Sequence, residues 1–204
     1  MGLLCLRSFR QNQTVNPILV LAQMPLVEND WSSALRYYQT IDPALQKVPG
    51  YMGVGLWRDS DQPTEHLVTY AYASLAAAEE GLELVASKKL LTEATVISSG
   101  PADVTRVSVI HKKRSGIFSA KVGQYLSKSV RHSDPGYGDE LVDELDRIFD
   151  ELAMLPGYLG AEVGRNDTLS DEVIGLAAWE SEAAFKTSLP PGALYTIKLY
   201  RRIF

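Results

Sequence analysis

Two similar α+β halves are what this sequence predicts, and three observations carry the prediction. The phrase Pro-Gly-Tyr-x-Gly is written twice, in VPGYMGVGLWRD and again in LPGYLGAEVGRN. Sliding the chain on itself by 107 residues lays Pro49, Gly50, Tyr51, Gly53 and Arg58 on Pro156, Gly157, Tyr158, Gly160 and Arg165. The same frame sets Glu65 on Glu172, Ala71 on Ala178, Ser74 on Ser181 and Ala76-Ala77 on Ala183-Ala184. Identities on that scale, several times what chance pairing gives, read as an internal duplication. The third observation is order, because strand-like and helix-like periodicities alternate as βαββαβ in each half. That is the ferredoxin-like arrangement, an antiparallel sheet with both helices on one face.

In the first half, PILVLAQM (17 to 24) is an apolar run of strand length. Asp30 can cap a helix in which Trp31, Leu35, Tyr38, Ile41 and Leu45 recur near helical spacing, with Pro43 expected to kink or restart it. Pro49-Gly50 ends that helix. Strands at 51 to 58 and 66 to 73 pair as a hairpin, and the second sets His66, Val68, Tyr70 and Tyr72 on one face. Ser74 caps a second helix, 75 to 89, and VTRVSVIHK (104 to 112) closes the unit. The second half repeats this with a strand at 119 to 127, a helix at 139 to 154, strands at 158 to 165 and 172 to 179, a short helix after Ser181, and a strand at 194 to 203.

A sheet whose second face is apolar cannot leave it in water, so the two halves are expected to bury those faces against each other as an intramolecular pseudo-dimer. The expected organisation is an N-terminal arm (1 to 16), a first repeat (17 to 112), a linker KRSGIF (113 to 118) and a second repeat (119 to 204). The basic run Lys112-Lys113-Arg114 is read as solvated chain. Further homo-oligomerisation is not required for stability.

Net charge is −5 and the isoelectric point is near 5.3, so the positive field that draws proteins onto nucleic acid is missing. No apolar run is long enough for a transmembrane helix, and the N-terminal residues fit neither a signal peptide nor a myristoylation site, so a cytoplasmic protein without a membrane partner is expected. Cys5 is the only cysteine, which leaves no intramolecular disulfide or thiolate cluster to build. His66, His111 and His132 lack ligand spacing and are expected to be hydrogen-bonded surface residues, so no metal is expected. Gly50, Gly53 and Gly55 precede a strand rather than opening a helix, which removes the phosphate-loop geometry. Glu79-Glu80 falls on a solvated helix face.

AAWESEAAFKTS (177 to 188), together with LPGYLGAEV and the closing YTIKLYRRIF, resembles the antibiotic biosynthesis monooxygenase-like family of the dimeric α/β-barrel superfamily. The resemblance covers both repeats and is clearer in the second. It implies α/β-barrel packing of the halves and, for its oxygenases, oxidation of a small aromatic or quinol-type compound without a cofactor, in a cavity between sheet and helices. It also includes haem-degrading proteins and proteins without a demonstrated reaction. The family's Trp is similar in place to Trp179, matched by Tyr72 in the first half. Where catalytic members carry an Asn four residues earlier, this chain has Gly175 and Val68; where they carry a Tyr in the next helix, it has Phe185. Lys198, Arg201 and Arg106 are the candidates for an expected last-strand Arg. The haem-branch His has no counterpart in a helix interrupted by Pro190-Pro191-Gly192.

Two functions therefore stay open: a cofactor-independent monooxygenase, or a non-catalytic ligand-binding or protein-interaction module. Candidate ligand-binding residues are Tyr70, Tyr72 and His66 on one strand face, Trp31 and Tyr38 from the helix above it, and Trp179 in the second half. Catalytic residues are not assigned. About 30 residues separate Ser74 from the last strand of the first half, against about 14 in the second, an asymmetry that points to an open pocket in one half only.

Overall fold

A computed structural model of the chain describes residues 16–87, 90–189 and 197–204. Eight strands are found: β1 (Ile18–Pro25), β2 (Tyr51–Asp59), β3 (Glu65–Tyr72), β4 (Asp103–Arg114), β5 (Tyr125–His132), β6 (Tyr158–Asn166), β7 (Glu172–Trp179) and β8 (Ile197–Arg202). Five helices accompany them: α1 (Trp31–Leu45), α2 (Leu75–Ser87), α3 (Leu90–Ile97), α4 (Gly138–Leu152) and α5 (Glu182–Ser188). The strands close into one antiparallel barrel in the order β1-β3-β2-β8-β5-β7-β6-β4. Within each half the order is last, first, third, second, as in a ferredoxin-like sheet, and β2 pairs with β8 while β4 pairs with β6 to seal the ring. Closure removes every open sheet edge.

The inward faces supply a single core, including Leu19, Leu21, Trp57, Leu67, Leu126, Leu176 and Tyr200. Separate apolar layers lie outside, one between the first-half strands and α1 to α3 and one between the second-half strands, α4 and α5. On α4, Val142, Leu145 and Phe149 form the buried stripe while the acidic residues between them face solvent.

The repeated phrase has the same geometry in both places. Gly50 and Gly157 adopt φ of 88° and 80°, a region costly for residues with a Cβ, and each sits in the turn between a helix, which has already ended at Leu45 or Leu152, and the next strand. Gly50 accepts from the Ala73 amide at 2.7 Å and Gly157 from the Glu180 amide at 2.8 Å. A bulge follows in each copy, between Tyr51 and Gly53 and between Tyr158 and Gly160.

Several expectations need correction. The first strand of the second half is 125–132, not 119–127, which turns Val130, Arg131 and His132 from loop into strand and shortens the connection before α4. Its polar inward residue, Lys128, conceals the strand from an apolar-run reading. Pro43 does not split α1, which runs on to Leu45: its missing N–H forfeits the single bond to the Gln39 carbonyl, and only two residues of the helix follow it. Residues 90–97, given no structure from sequence, form α3. Lys112, Lys113 and Arg114 end β4 rather than floating in a linker; Lys113 pairs with Asp146 at 2.9 Å and Asp150 at 2.8 Å. Cys5 and Pro190-Pro191-Gly192 lie outside the described residues. Among those described, no helix is long and apolar enough to cross a membrane.

Candidate functional site

Between the sheet and helices of the first half lies a cavity of about 670 Å³, within the size range of small-molecule sites. Strand pairing builds its floor. Val20 on β1 stands opposite Tyr70 on β3 and Arg106 on β4, so a tyrosine and an arginine flank a small apolar residue in one row. Ile18 opposite Tyr72 makes the next row. Tyr37 and Tyr38 come down from α1, Leu82 and Val85 from α2, and Ala94 and Thr95 from α3.

The tyrosines give this apolar space its polar character. Burial raises Tyr70 well above the ordinary phenol range and pushes Tyr72 up to about 12, so both remain protonated hydrogen-bond donors. Neither hydroxyl has a hydrogen-bond partner among the described residues. Tyr72 stacks at 5.5 Å on Tyr51, whose own hydroxyl donates to Asp42 at 2.7 Å. Gly81 on α2 admits Tyr72, since a Cβ there would stand 2.6 Å from the tyrosine oxygen. Arg106 is half-buried and has no ion-pair partner among the described residues.

The five first-half candidates do come together, but in two tiers. Tyr38, Tyr70 and Tyr72 line the cavity. His66 and Trp31 lie behind Tyr38: the Tyr38 hydroxyl is 3.2 Å from His66 Nε2, and the Trp31 ring stands 6.0 Å from the imidazole. His66 is not a surface residue, being 0 % exposed, because β3 turns it toward α1. Burial lowers its pKa to about 4, partly opposed by the Met24 backbone across the strand pair, so the ring is neutral at neutral pH. Nδ1 faces that backbone without reaching hydrogen-bond geometry.

The second half closes the equivalent space to about 210 Å³. Trp179, 1 % exposed, donates from Nε1 to Ser127 Oγ at 2.9 Å and packs edge-on against Phe185 at 6.1 Å and Tyr158 at 5.6 Å. A Cβ at Gly175 would lie 2.8 Å from Ser129 Oγ and 3.1 Å from the Phe149 ring, so the position of the missing Asn is filled by neighbours. Val68, its first-half counterpart, is fully buried. Of the candidate basic residues, Lys198 pairs with Asp59 at 3.6 Å and Arg201 is exposed; Arg106 alone of the three borders the large cavity. Glu79, on an exposed helix face as expected, reaches that cavity's rim.

His111 and His132 sit beside Asp146 at 3.8 Å and Glu172 at 3.6 Å. Among the described residues no three His, Cys, Asp or Glu side chains converge as a metal site. Sequence reasoning missed Tyr37 and Gly81; Tyr37, one residue before Tyr38, fell off the stripe assigned to α1, and a glycine in mid-helix gives no hint that an aromatic oxygen approaches it.

Residues 130–189 match the family described as antibiotic biosynthesis monooxygenase. The fold is similar to that of a protein named provisionally as a monooxygenase from Fusobacterium nucleatum, with a TM-score of 0.74 at 12% identity over 93% of this chain and 94% of the other. It is similar also to a provisionally named monooxygenase from Lactobacillus acidophilus, with a TM-score of 0.72, 12% identity and coverage of 92% and 94%. A third similar structure, called an anthrone oxidase-like protein, gives a TM-score of 0.66 at 17% identity over 93% and 92% of the two chains. No match was found among curated proteins. At such identities the structural likeness establishes fold alone. Residues 130–189 of this chain thus match the antibiotic biosynthesis monooxygenase family, within an eight-stranded α+β barrel whose overall fold is similar to that of these structures.

Proposed function

We propose that the chain is a monooxygenase that oxidises a small quinol- or phenol-type aromatic in the first-half cavity without a bound cofactor, and that its halves, 17–112 and 119–204, are duplicated repeats packed as a pseudo-dimer. The observation that carries the reading is an apolar cavity of about 670 Å³ into which Tyr70 and Tyr72 present protonated hydroxyls without hydrogen-bond partners among the described residues. An electron-rich ring supplies its own reducing power. A ring CH₂ converted by O₂ to a ketone, with release of one water, balances without another reductant. The protein then contributes a dry site, donors that stabilise the substrate's phenolate or enolate, and a cation at Arg106 on the same sheet row. Tyr70 and Arg106 stand two strand spacings apart, roughly 10 Å, so they would hold opposite ends of a fused-ring molecule.

A non-catalytic ligand-binding role is favoured by one observation: both positions matching the oxygenase Asn are apolar, Val68 and Gly175. Oxygen uptake with a panel of quinols and anthrone-type phenols separates the readings. The oxygenase reading expects uptake that falls at least about tenfold in Tyr70→Phe or Tyr72→Phe and is unchanged in Trp179→Phe. Ligand binding without uptake supports the binding module, and uptake indifferent to both tyrosines removes the proposed site.

A further inference from the structure

We propose that Tyr38, His66 and Trp31 form a hole-transfer path that carries a stray oxidising equivalent from the first-half cavity to the protein surface, a role that rests on the oxygenase reading above. The path is built from contiguous groups. Tyr38 borders the cavity and is itself 1 % exposed. Its hydroxyl is 3.2 Å from His66 Nε2, its ring 6.1 Å from the imidazole, and the imidazole 6.0 Å from Trp31, which is half-buried at the surface end. Trp31 Nε1 is already turned outward, donating to Asn29 Oδ1 at 2.6 Å and the Pro63 carbonyl at 3.1 Å.

The protonation states suit electron transfer better than acid-base catalysis. With its proton on Nδ1, His66 leaves Nε2 to accept from the Tyr38 hydroxyl 3.2 Å away, the tautomer assigned here. An imidazole that titrates near 4 is too weak to deprotonate a phenol, so the pair is a poor general base. An oxidised tyrosine is a far stronger acid than a phenol, and for it the same imidazole is an adequate acceptor.

The steps balance. A one-electron oxidant of the oxygen-centred or substrate-radical class takes an electron from Tyr38 and becomes its anion, while the hydroxyl proton moves to His66 Nε2, leaving a neutral tyrosyl radical and an imidazolium. Trp31 then gives an electron to Tyr38, His66 returns its proton to the tyrosine oxygen, and the indole N–H proton leaves to solvent. The guanidinium of Arg58, 5.5 Å above the indole, disfavours a radical cation there and so favours that deprotonation. A small thiol in solution restores Trp31 by hydrogen-atom donation.

Pulse radiolysis with azide radicals tests the path on the whole chain without any substrate. The chain has three tryptophans, and Trp57 and Trp179 are 0 % and 1 % exposed, so Trp31 is the indole that the radical reaches. Loaded from its surface end, the wild-type path should relax to a fixed ratio in which tryptophanyl persists beside tyrosyl, with a first-order rate independent of protein concentration; complete conversion of tryptophanyl to tyrosyl would show that the hole runs inward and would overturn the outward direction. Tyr38→Phe, which keeps the ring, should lower that transfer at least about tenfold, and His66→Gln, which cannot hold the proton, should do the same. Absence of intramolecular transfer in wild type, or transfer at the wild-type rate in Tyr38→Phe, would overturn the proposal. Oxygen uptake that survives in a protein without radical transfer leaves the oxygenase reading standing, and the converse result leaves the path judged on transfer alone.

Discussion

The two halves share a backbone plan and differ in what occupies the space between sheet and helices. Shifting the first half by 107 residues carries β1 onto β5, α1 onto α4 and β3 onto β7 without adjustment. On that frame Tyr38, Tyr70 and Tyr72 correspond to Leu145, Ala177 and Trp179, and His66 corresponds to Val173. In the second half Phe149, Trp179 and Phe185 pack into the volume, beside Ser127 and Ser129. The first has tyrosine hydroxyls there and carries α3, which with α2 forms one wall of the cavity. Two halves built on one plan let one carry stability while the other tolerates a void, since each cavity forfeits packing energy.

That contrast is broken most severely by truncation. Trp179→Ala should cost about 3–5 kcal/mol in denaturant unfolding, as expected for an aromatic enclosed on all sides, whereas Tyr70→Ala, already bordering empty space, should cost no more than about 2 kcal/mol. Equal losses would mean that the first-half cavity is not open. The next effect concerns pH and belongs to the first half only. His66 titrates near 4 when folded and near 6.5 when unfolded, so the unfolded chain binds the extra proton first and stability falls as pH drops through that window. The loss amounts to about 3 kcal/mol at most. His66→Gln should flatten the profile between those pH values relative to wild type, and an unchanged slope would show that His66 is not buried and neutral.

Smaller effects sharpen the comparison. Introducing the family's Asn as Gly175→Asn should destabilise by about 2 kcal/mol, because its Cβ meets Ser129 and Phe149, and should not create activity in the second half. Tyr51→Phe, which leaves Asp42 without its hydroxyl partner, should cost about 1 kcal/mol, while nothing comparable is expected at Tyr158, whose hydroxyl has no partner to lose. Thermal unfolding of the two single variants measures that difference.

Much of the architecture was legible because hinge and hairpin residues cannot vary freely: a positive-φ glycine after a helix and a bulge in the next strand leave Pro-Gly-Tyr-x-Gly as their trace. The same frame carried back to β1 indicates 125–132, and the apolar-run criterion failed there because a barrel interior accepts Lys128 near its charged neighbours. The shared face of His66, Val68, Tyr70 and Tyr72 followed from period-2 alternation. What alternation cannot supply is depth. It placed His66 beside the tyrosines under the helix carrying Trp31 and Tyr38, yet did not show that His66 is fully buried, nor that Arg106 shares a row with Tyr70, which depends on strand order. The region from 90 to 97 escaped because its short apolar run fits a helix or a strand equally well.

If the first half alone holds a ligand, binding must follow the state of its cavity. Calorimetric titration with the quinone product of whichever quinol supports uptake tests it most directly, on wild type, on Val85→Trp to fill the large cavity, and on Leu152→Trp to fill the small one. One site per chain is expected, weakened at least about 100-fold by Val85→Trp and unaffected by Leu152→Trp. Two sites per chain, or binding that survives Val85→Trp and fails in Leu152→Trp, would contradict it.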